Sequence, residues 1–153
     1  MADIVHRIGI KAPADKVYQA LATPQGVASW WSRETAGGSK VGEDLVFTFR
    51  EDDGSVKGEM RAQIATLDPG KRVAWTITTG PEEWVGTDIS FDLSKGEDGM
   101  TIVLFAHRKW PEQKDFMAHC SMKWATFLLS LRQLVETGKG KPAPDDLKID
   151  DWN

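Results

Sequence analysis

The hydrophobic pattern of the chain ends in one long segment with helical periodicity. Residues 115–136 read DFMAHCSMKWATFLLSLRQLVE and contain neither Gly nor Pro. Asp115 is a candidate N-cap, and Gly138 is a candidate C-terminal stop. The apolar positions recur every three or four residues, which predicts a helix with one apolar face: Met117, Cys120, Trp124, Phe127 or Leu128, Leu131 and Leu134. A broad apolar surface elsewhere in the chain must therefore cover this face.

The chain before this helix changes from helical periodicity to alternation. Residues 3–11 alternate and predict a first strand, and Pro13 and Pro24 each suit the first turn of a short helix. The Gly-rich segment 32–43 predicts a mobile loop. From residue 44 onward the period is two, with turn signals between the runs. The predicted strands lie near residues 45–50, 57–67, 71–78, 84–94 and 100–108.

Consecutive strands joined by short turns predict an antiparallel meander. One apolar sheet face and one apolar helix face fit together, so we expect an α+β fold in which a curved antiparallel sheet grips the C-terminal helix. The two short helices would close one end and leave a pocket beside the first half of that helix. Residues 1–138 are predicted to form this single domain, and residues 139–153 a loosely attached tail whose end Trp152 pins to the body.

Composition limits the classes of partner and the cellular location that we expect for this protein. A length of 153 residues suits one domain, and a formal net charge of −4 argues against nucleic acid or an anionic membrane as the main partner. The single cysteine permits no intrachain disulfide, and no apolar run approaches the length of a membrane span. We therefore expect a cytoplasmic protein. Seven tryptophans are unusual, and Trp serves as a buried anchor or a ligand-facing wall.

Several segments, in this order, resemble the START-like, helix-grip superfamily, which includes the Bet v 1 and polyketide cyclase families. The closer resemblance is to the family related to the C-terminal domain of the activator of Hsp90 ATPase. It covers essentially the whole chain. The segments that carry it are PADKVYQALATPQGVASWW at 13–31, G-x-x-L-x-F-x-F at 42–49, IATLDPGKRVAWT at 64–76, GTDISFDLS at 86–94, MTIVLFAHRKW at 100–110 and KWATFLLSLRQLVETGKGKP at 123–142.

This resemblance implies a deep hydrophobic cavity under the long helix and, in many members, an unidentified ligand. It transfers no catalytic residue, because the family has no shared catalytic set. The eukaryotic co-chaperones of the family carry a separate N-terminal domain that is not recognisable in these 153 residues.

Eleven side chains are candidates for the ligand site because they should face the space between sheet and helix. The alternative for each is solid core packing without any ligand, since burial of a large aromatic ring is favourable by itself at about 2–3 kcal/mol. The candidates are Trp30, Phe47, Phe49, Met60, Trp75, Phe91, Phe105, His107, Met117, Cys120 and Trp124.

His107 is the polar candidate within this set. At the end of the last strand it could hydrogen-bond a ligand or act as an acid or base, or it could be a core histidine bound to a backbone carbonyl. Cys120 as a nucleophile would need an adjacent base, and a buried, inert thiol is the alternative. His119 and Cys120 point about 100° apart on a helix, so we expect no metal site, and no motif implies a cofactor.

Three functions follow from these observations. The first is binding of a small apolar or aromatic molecule between the sheet and the first half of the long helix. The second is an interaction module that contacts an Hsp90-type chaperone, and the third is an enzyme of the aromatase or cyclase kind with His107 as proton carrier. The chain is expected to be a monomer or a homodimer.

Overall fold

The computed structural model describes residues 2–153, which form seven strands and three helices. The strands are β1 (Ala2–Ile10), β2 (Thr35–Gly37), β3 (Asp44–Arg50), β4 (Val56–Asp68), β5 (Arg72–Thr79), β6 (Asp88–Lys95) and β7 (Thr101–Trp110). The helices are α1 (Ala14–Ala22), α2 (Pro24–Ala28) and α3 (Asp115–Thr137). Within the described residues, no helix is long and apolar enough to cross a membrane.

The strands form one antiparallel sheet in the order β1-β7-β6-β5-β4-β3-β2. From β2 to β7 each strand pairs with the next one in sequence, as the predicted meander requires, and β1 pairs with β7. The sheet is curved and grips α3, with the two short helices after β1. The predicted helix-grip α+β fold is confirmed.

The long helix forms where its periodicity predicts it. Its buried residues are Met117, Cys120, Trp124, Phe127, Leu128, Ser130, Leu131 and Val135, with Leu134 partly buried. Asp115 is the first helical residue and Lys114 occupies the N-cap, so the predicted cap position was wrong by one residue. Gly138 ends the helix at φ 89°, and its N–H donates to the Leu134 carbonyl at 2.8 Å. Glycine adopts this left-handed conformation without the steric cost that a Cβ would add.

Two tryptophans that follow the short helix α2 pack in the core. Thr23 caps it by accepting a hydrogen bond from the Gly26 N–H at 3.0 Å, and Pro24 follows in the first turn. Trp30 and Trp31, directly after the helix, are 0% and 6% exposed. The Trp30 indole N–H donates to the Ala20 carbonyl at 2.9 Å, which fixes α2 against α1.

A β-bulge near the end of β7 changes which side chains face the core. Ile4 pairs with His107 whereas Ala2 pairs with Trp110, so β7 carries one extra residue over this interval. The extra residue is accommodated by Lys109, which has φ 74° and is exposed. His107 and Trp110 therefore both point inward, although strict alternation would place them on opposite faces.

Two predicted elements differ from the structure. The strand predicted at 84–94 begins only at Asp88, because residues 81–86 form a turn that carries Trp84 inward. The loop predicted at 32–43 contains the short edge strand β2, whose Thr35 pairs with Phe47.

The segment 139–153, the tail, packs against the body rather than being loosely attached. The Ala143 N–H donates to the Trp31 carbonyl at 2.8 Å, and the Arg33 N–H donates to the Ala143 carbonyl at 3.0 Å. Asp146 is buried and forms ion pairs with Lys123 and Lys148. These backbone and buried-charge contacts hold the tail against α3 and the segment after α2.

Candidate functional site

Aromatic rings fill the space between the sheet and the first half of α3. We call the buried rings of Trp31, Trp75, Trp84, Trp124 and Phe105 the aromatic cluster. The ring centroid of Trp31 lies 4.8 Å from Trp124, 5.9 Å from Trp75 and 6.4 Å from Trp84. Phe105 lies 4.6 Å from Trp124. Rings at these separations are in contact. Side chains therefore occupy much of the space in which the sequence predicts a pocket.

His107 lies against this cluster and is fully buried. The Trp124 indole N–H donates to its Nδ1 at 3.1 Å, so Nδ1 carries no proton and Nε2–H is free to donate. Nε2 lies 2.8 Å from the hydroxyl of Thr87, which in turn donates to the Trp84 carbonyl. Both ring nitrogens are thus engaged by side chains, whereas the sequence left open a ligand or a backbone carbonyl as the partner.

This environment keeps His107 neutral. Burial lowers the pKa of His107 from 6.5 to about 3, against a smaller opposing effect of the Asp88 carboxylate. A neutral imidazole that accepts from one partner and donates to another orients Trp124 and Thr87. It offers neither a free nitrogen nor a pKa near 7 for proton transfer.

Cys120 lies on the buried face of α3, 5% exposed, near Trp84. Burial raises the pKa of the Cys120 thiol from 9.0 to about 12. Because only the thiolate is a good nucleophile, this position favours an inert core residue. Within residues 2–153, no group of three or more His, Cys, Asp or Glu side chains is arranged to hold a metal ion.

The low reactivity of Cys120 can be measured directly. At pH 8 we expect a disulfide reagent to label the folded protein at least about 100-fold more slowly than the same protein in denaturant, because the thiolate is scarce and buried. The unfolded sample is the matched control, since it presents the same single thiol. Comparable labelling rates in the two samples would contradict a buried, protonated Cys120.

Ten of the eleven predicted site residues lie in the buried core: Trp30, Phe47, Met60, Trp75, Phe91, Phe105, His107, Met117, Cys120 and Trp124. Phe49 is the exception and is 40% exposed. It shares the face of Leu45 and Phe47 on β3, but it lies near the end of the strand, where the core stops. Phe49 therefore points to the same side of the sheet as the core residues but lies outside the buried core.

Three residues of the same region were absent from the predicted set: Trp31, Trp84 and Trp110. Trp31 could have been found as the neighbour of Trp30 after α2. Trp84 comes from a turn and Trp110 follows the bulge in β7, so no periodic signal marks either residue.

A groove of about 910 Å³ opens on the surface beside Phe49. We call it the outer groove. The β3–β4 hairpin, the turn after β5, the segment after α2 and the tail form its walls. Its apolar lining consists of Phe49, Met60, Pro81, Ala143 and Pro144.

Charged side chains surround this apolar lining. They are Arg33, Glu34, Arg50, Glu51, Asp52, Lys57 and Glu59. Arg50 Nε donates to Glu34 at 2.7 Å, and this hydrogen bond holds the pKa of Glu34 below its usual range. Arg33 pairs with Asp145 of the tail. An apolar centre within a charged rim is the usual composition of a protein-binding surface.

A second, smaller pocket of about 140 Å³ lies where the tail meets the C-terminal half of α3. Phe127, Leu129 and Ser130 of α3 line it together with Lys141, Asp146 and Leu147 of the tail. At the other end of the tail, Asp150 Oδ2 lies 2.7 Å from His119 Nδ1, and the Trp152 ring packs against His119 at 5.4 Å. The tail therefore forms part of both pockets.

The family model of the Activator of Hsp90 ATPase homolog 1-like protein matches residues 11–136. The chain belongs to this family. The family also lies within the START-like superfamily that the sequence resembled. A comparison with curated proteins found no match to this sequence.

Solved structures agree with this assignment. The Aha1 dimer from Colwellia psychrerythraea is 44% identical over 92% of this chain and 100% of that chain, with a TM-score of 0.77. The AHSA1-like protein from Aeromonas hydrophila is 15% identical over 90% of this chain and 94% of its own, with a TM-score of 0.70. CalU16 from Micromonospora echinospora is 19% identical over 93% of this chain and 77% of its own, with a TM-score of 0.68. The last two share the fold alone.

Proposed function

We propose that this member of the Activator of Hsp90 ATPase homolog 1-like family is a co-chaperone-type interaction domain that binds an Hsp90-type chaperone through the outer groove. The observation that carries the proposal is the exposed Phe49 ring within a large, charged-rimmed groove, while the interior beside α3 is packed with rings. An aromatic side chain at the centre of a polar rim is typical of an interface hot spot.

The family and one relative support the choice of partner. The matching family is described by activation of the Hsp90 ATPase, and the Colwellia relative is called Aha1 at 44% identity. The acidic groups Glu51 and Asp52 and the basic group Lys57 on the hairpin wall suit a partner surface that carries both charges.

The binding test compares Phe49→Ala with Leu104→Ala. The two side chains are 40% and 41% exposed, but Leu104 lies on β7, away from the outer groove. We expect Phe49→Ala to weaken binding of an Hsp90-type chaperone from the same organism by about tenfold or more in calorimetric titration, whereas Leu104→Ala changes it less than about twofold.

Equal affinities for the wild-type protein and the Phe49→Ala variant would reject the outer groove as the contact surface. Absence of binding by the wild-type protein at high micromolar concentration would reject the chaperone as partner. Circular dichroism of both variants at pH 7 serves as the folding control, because each change removes a partly exposed side chain.

We also extend the dimeric state of the Colwellia relative to this chain as a proposal. Light scattering after size exclusion should then give about 34 kDa, twice the 17.0 kDa of the chain. A mass of one chain at all concentrations tested would reject the dimer.

A second candidate function is binding of a small apolar or aromatic molecule in the region beside the first half of α3. Two buried indole donors there, on Trp84 and Trp110, find no hydrogen-bond acceptor within residues 2–153. Buried polar groups normally have a partner, so unmatched donors amid apolar walls favour a ligand that supplies one. Titration with a neutral naphthalene dye is the test, and absence of binding at the solubility limit of the dye would reject it.

A further inference from the structure

The two unmatched donors lie close together. The Trp84 and Trp110 ring centroids are 6.2 Å apart, with the rings at 73°. His107 lies between them at 4.7 Å and 4.9 Å, but its Nδ1 already accepts from Trp124 and its Nε2 is bound to Thr87. The thiol of Cys120 lies near the Trp84 N–H without forming a hydrogen bond of ordinary geometry. The Trp110 indole therefore has no acceptor in its present surroundings, and the Trp84 indole has only the weak sulfur acceptor of Cys120 nearby.

Trp84 belongs to a segment built differently from the other elements of the core. We call residues 80–86 the Trp84 turn. Pro81, Glu82, Glu83, Val85 and Gly86 are exposed, and Trp84 is the one buried residue among 81–86. Gly80 and Gly86 flank it at φ 151° and 84°, conformations that glycine adopts easily. The backbone of this turn is bonded to β5, since the Gly86 N–H donates to the Ile77 carbonyl at 2.8 Å. Withdrawal of Trp84 from the core therefore requires rotation of its side chain rather than movement of the strand.

Exchange of the Trp84 ring for a ligand would give both indole N–H groups an oxygen acceptor. Outside the core, the Trp84 N–H can bond to water. The space it leaves is bounded by Trp31, Trp110, Trp124 and His107, so a flat aromatic body restores the lost contacts. An oxygen acceptor on that body can receive the Trp110 N–H, which the Trp84 ring cannot satisfy.

Burial selects an uncharged acceptor. Trp110, Trp124 and His107, which bound the site, are each 2% exposed or less. A ligand carboxylate there would lose its hydration at a high cost in free energy. A carbonyl oxygen accepts a hydrogen bond without carrying a charge.

We infer that the Trp84 ring occupies a ligand site in the free protein, and that a planar, uncharged aromatic molecule with a carbonyl oxygen replaces it and accepts a hydrogen bond from Trp110. This site rests on the second candidate function and specifies its ligand class. It is independent of chaperone binding at the outer groove.

Two probes of similar shape test the site: 2-acetylnaphthalene, which has a carbonyl, and 2-ethylnaphthalene, which does not. Trp84→Ala opens the site in advance, so it should bind 2-acetylnaphthalene about tenfold more tightly than the wild-type protein does. In that variant 2-acetylnaphthalene should bind about fivefold more tightly than 2-ethylnaphthalene. Adding Trp110→Phe should abolish the preference, so that the two probes bind with equal affinity, because any loss of ring contact affects both probes alike.

A measurement on the wild-type protein covers the case in which Trp84→Ala does not fold. Nitrogen-15 spectra resolve indole N–H groups, and both probes should move the Trp84 and Trp110 signals. Only 2-acetylnaphthalene should shift the Trp110 N–H proton downfield, as a new hydrogen bond does. If neither probe binds the wild-type protein or the variants, the second candidate function and this site both fail. If the probes bind without moving the Trp84 and Trp110 signals, ligand binding stands and this site is rejected.

Discussion

Lowering the pH from 7 to 4 should reduce the free energy of unfolding by about 3 kcal/mol through His107 alone. The pKa of His107 is about 3 in the folded protein, against 6.5 in an unfolded chain. Between these values the unfolded state binds a proton that the folded state does not. The stabilisation is therefore complete above pH 6.5 and declines by about 1.4 kcal/mol per pH unit down to about pH 3.

His107→Gln separates this effect from the titration of other groups. Glutamine does not titrate, so the variant should lose about 3 kcal/mol less than the wild-type protein over the same interval, even if it is less stable at pH 7. Urea unfolding at pH 7, 5.5 and 4 gives the two curves. Parallel pH dependences would show that His107 is already accessible to protons in the folded state.

Asp146→Ala should destabilise the protein by roughly 3 kcal/mol because it removes one partner of a buried ion pair. The Asp146 side chain is 3% exposed and pairs with Lys123, itself 12% exposed, and with Lys148 at 2.9 Å. Burial raises the pKa of Asp146, but the hydrogen bonds from both lysines outweigh it and hold the pKa below 3.8. Without the carboxylate, the Lys123 ammonium keeps the backbone oxygens of Leu147 at 2.8 Å and Asn153 at 3.3 Å and the Phe127 ring at 5.2 Å, but no buried counter-ion.

The neighbouring residue supplies the matched control. Asp145 also forms an ion pair, with Arg33, but its side chain is 66% exposed. Asp145→Ala should therefore cost less than about 1 kcal/mol in the same urea titration. If the two substitutions cost the same, burial of the Lys123–Asp146 pair would not be what holds the tail against α3.

The sequence predicted the elements that follow a regular period. Met117, Cys120 and Trp124 recur at helical spacing and form the inner face of α3. Phe105 and His107 lie two residues apart on β7 and both face inward, as alternation requires. One face of each element is buried, so a shift of one residue would expose its apolar side chains. The sequence pattern therefore predicts which residues face the core.

Features that depend on local exceptions could not be predicted. Trp84 is a single buried side chain in an exposed turn, and the bulge at Lys109 reverses the alternation just before Trp110. The polar sequence of the tail predicts loose attachment, yet Asp146 is buried and forms ion pairs with Lys123 of α3 and Lys148 of the tail. These contacts are long-range or aperiodic, so no window of sequence contains them.

The sequence also could not show whether side chains fill the interior between the sheet and α3. The same aromatic residues could line an empty cavity or pack against one another. Only the distances between their rings in the structure distinguish the two arrangements. Trp31 and Trp84, which were not in the predicted set, occupy much of the space beside Trp124. The outer groove, by contrast, is open at the surface.

The most direct test of the proposed interaction is a backbone amide nuclear magnetic resonance titration of this protein with an Hsp90-type chaperone from the same organism. Binding at the outer groove predicts the largest signal changes in residues 48–52 and 57–60 and around Pro81 and Ala143. Changes concentrated on the outer face of β1 and β7, around Val5 and Leu104, would contradict the groove as the binding surface. Unchanged spectra at a chaperone excess would contradict the proposed partner.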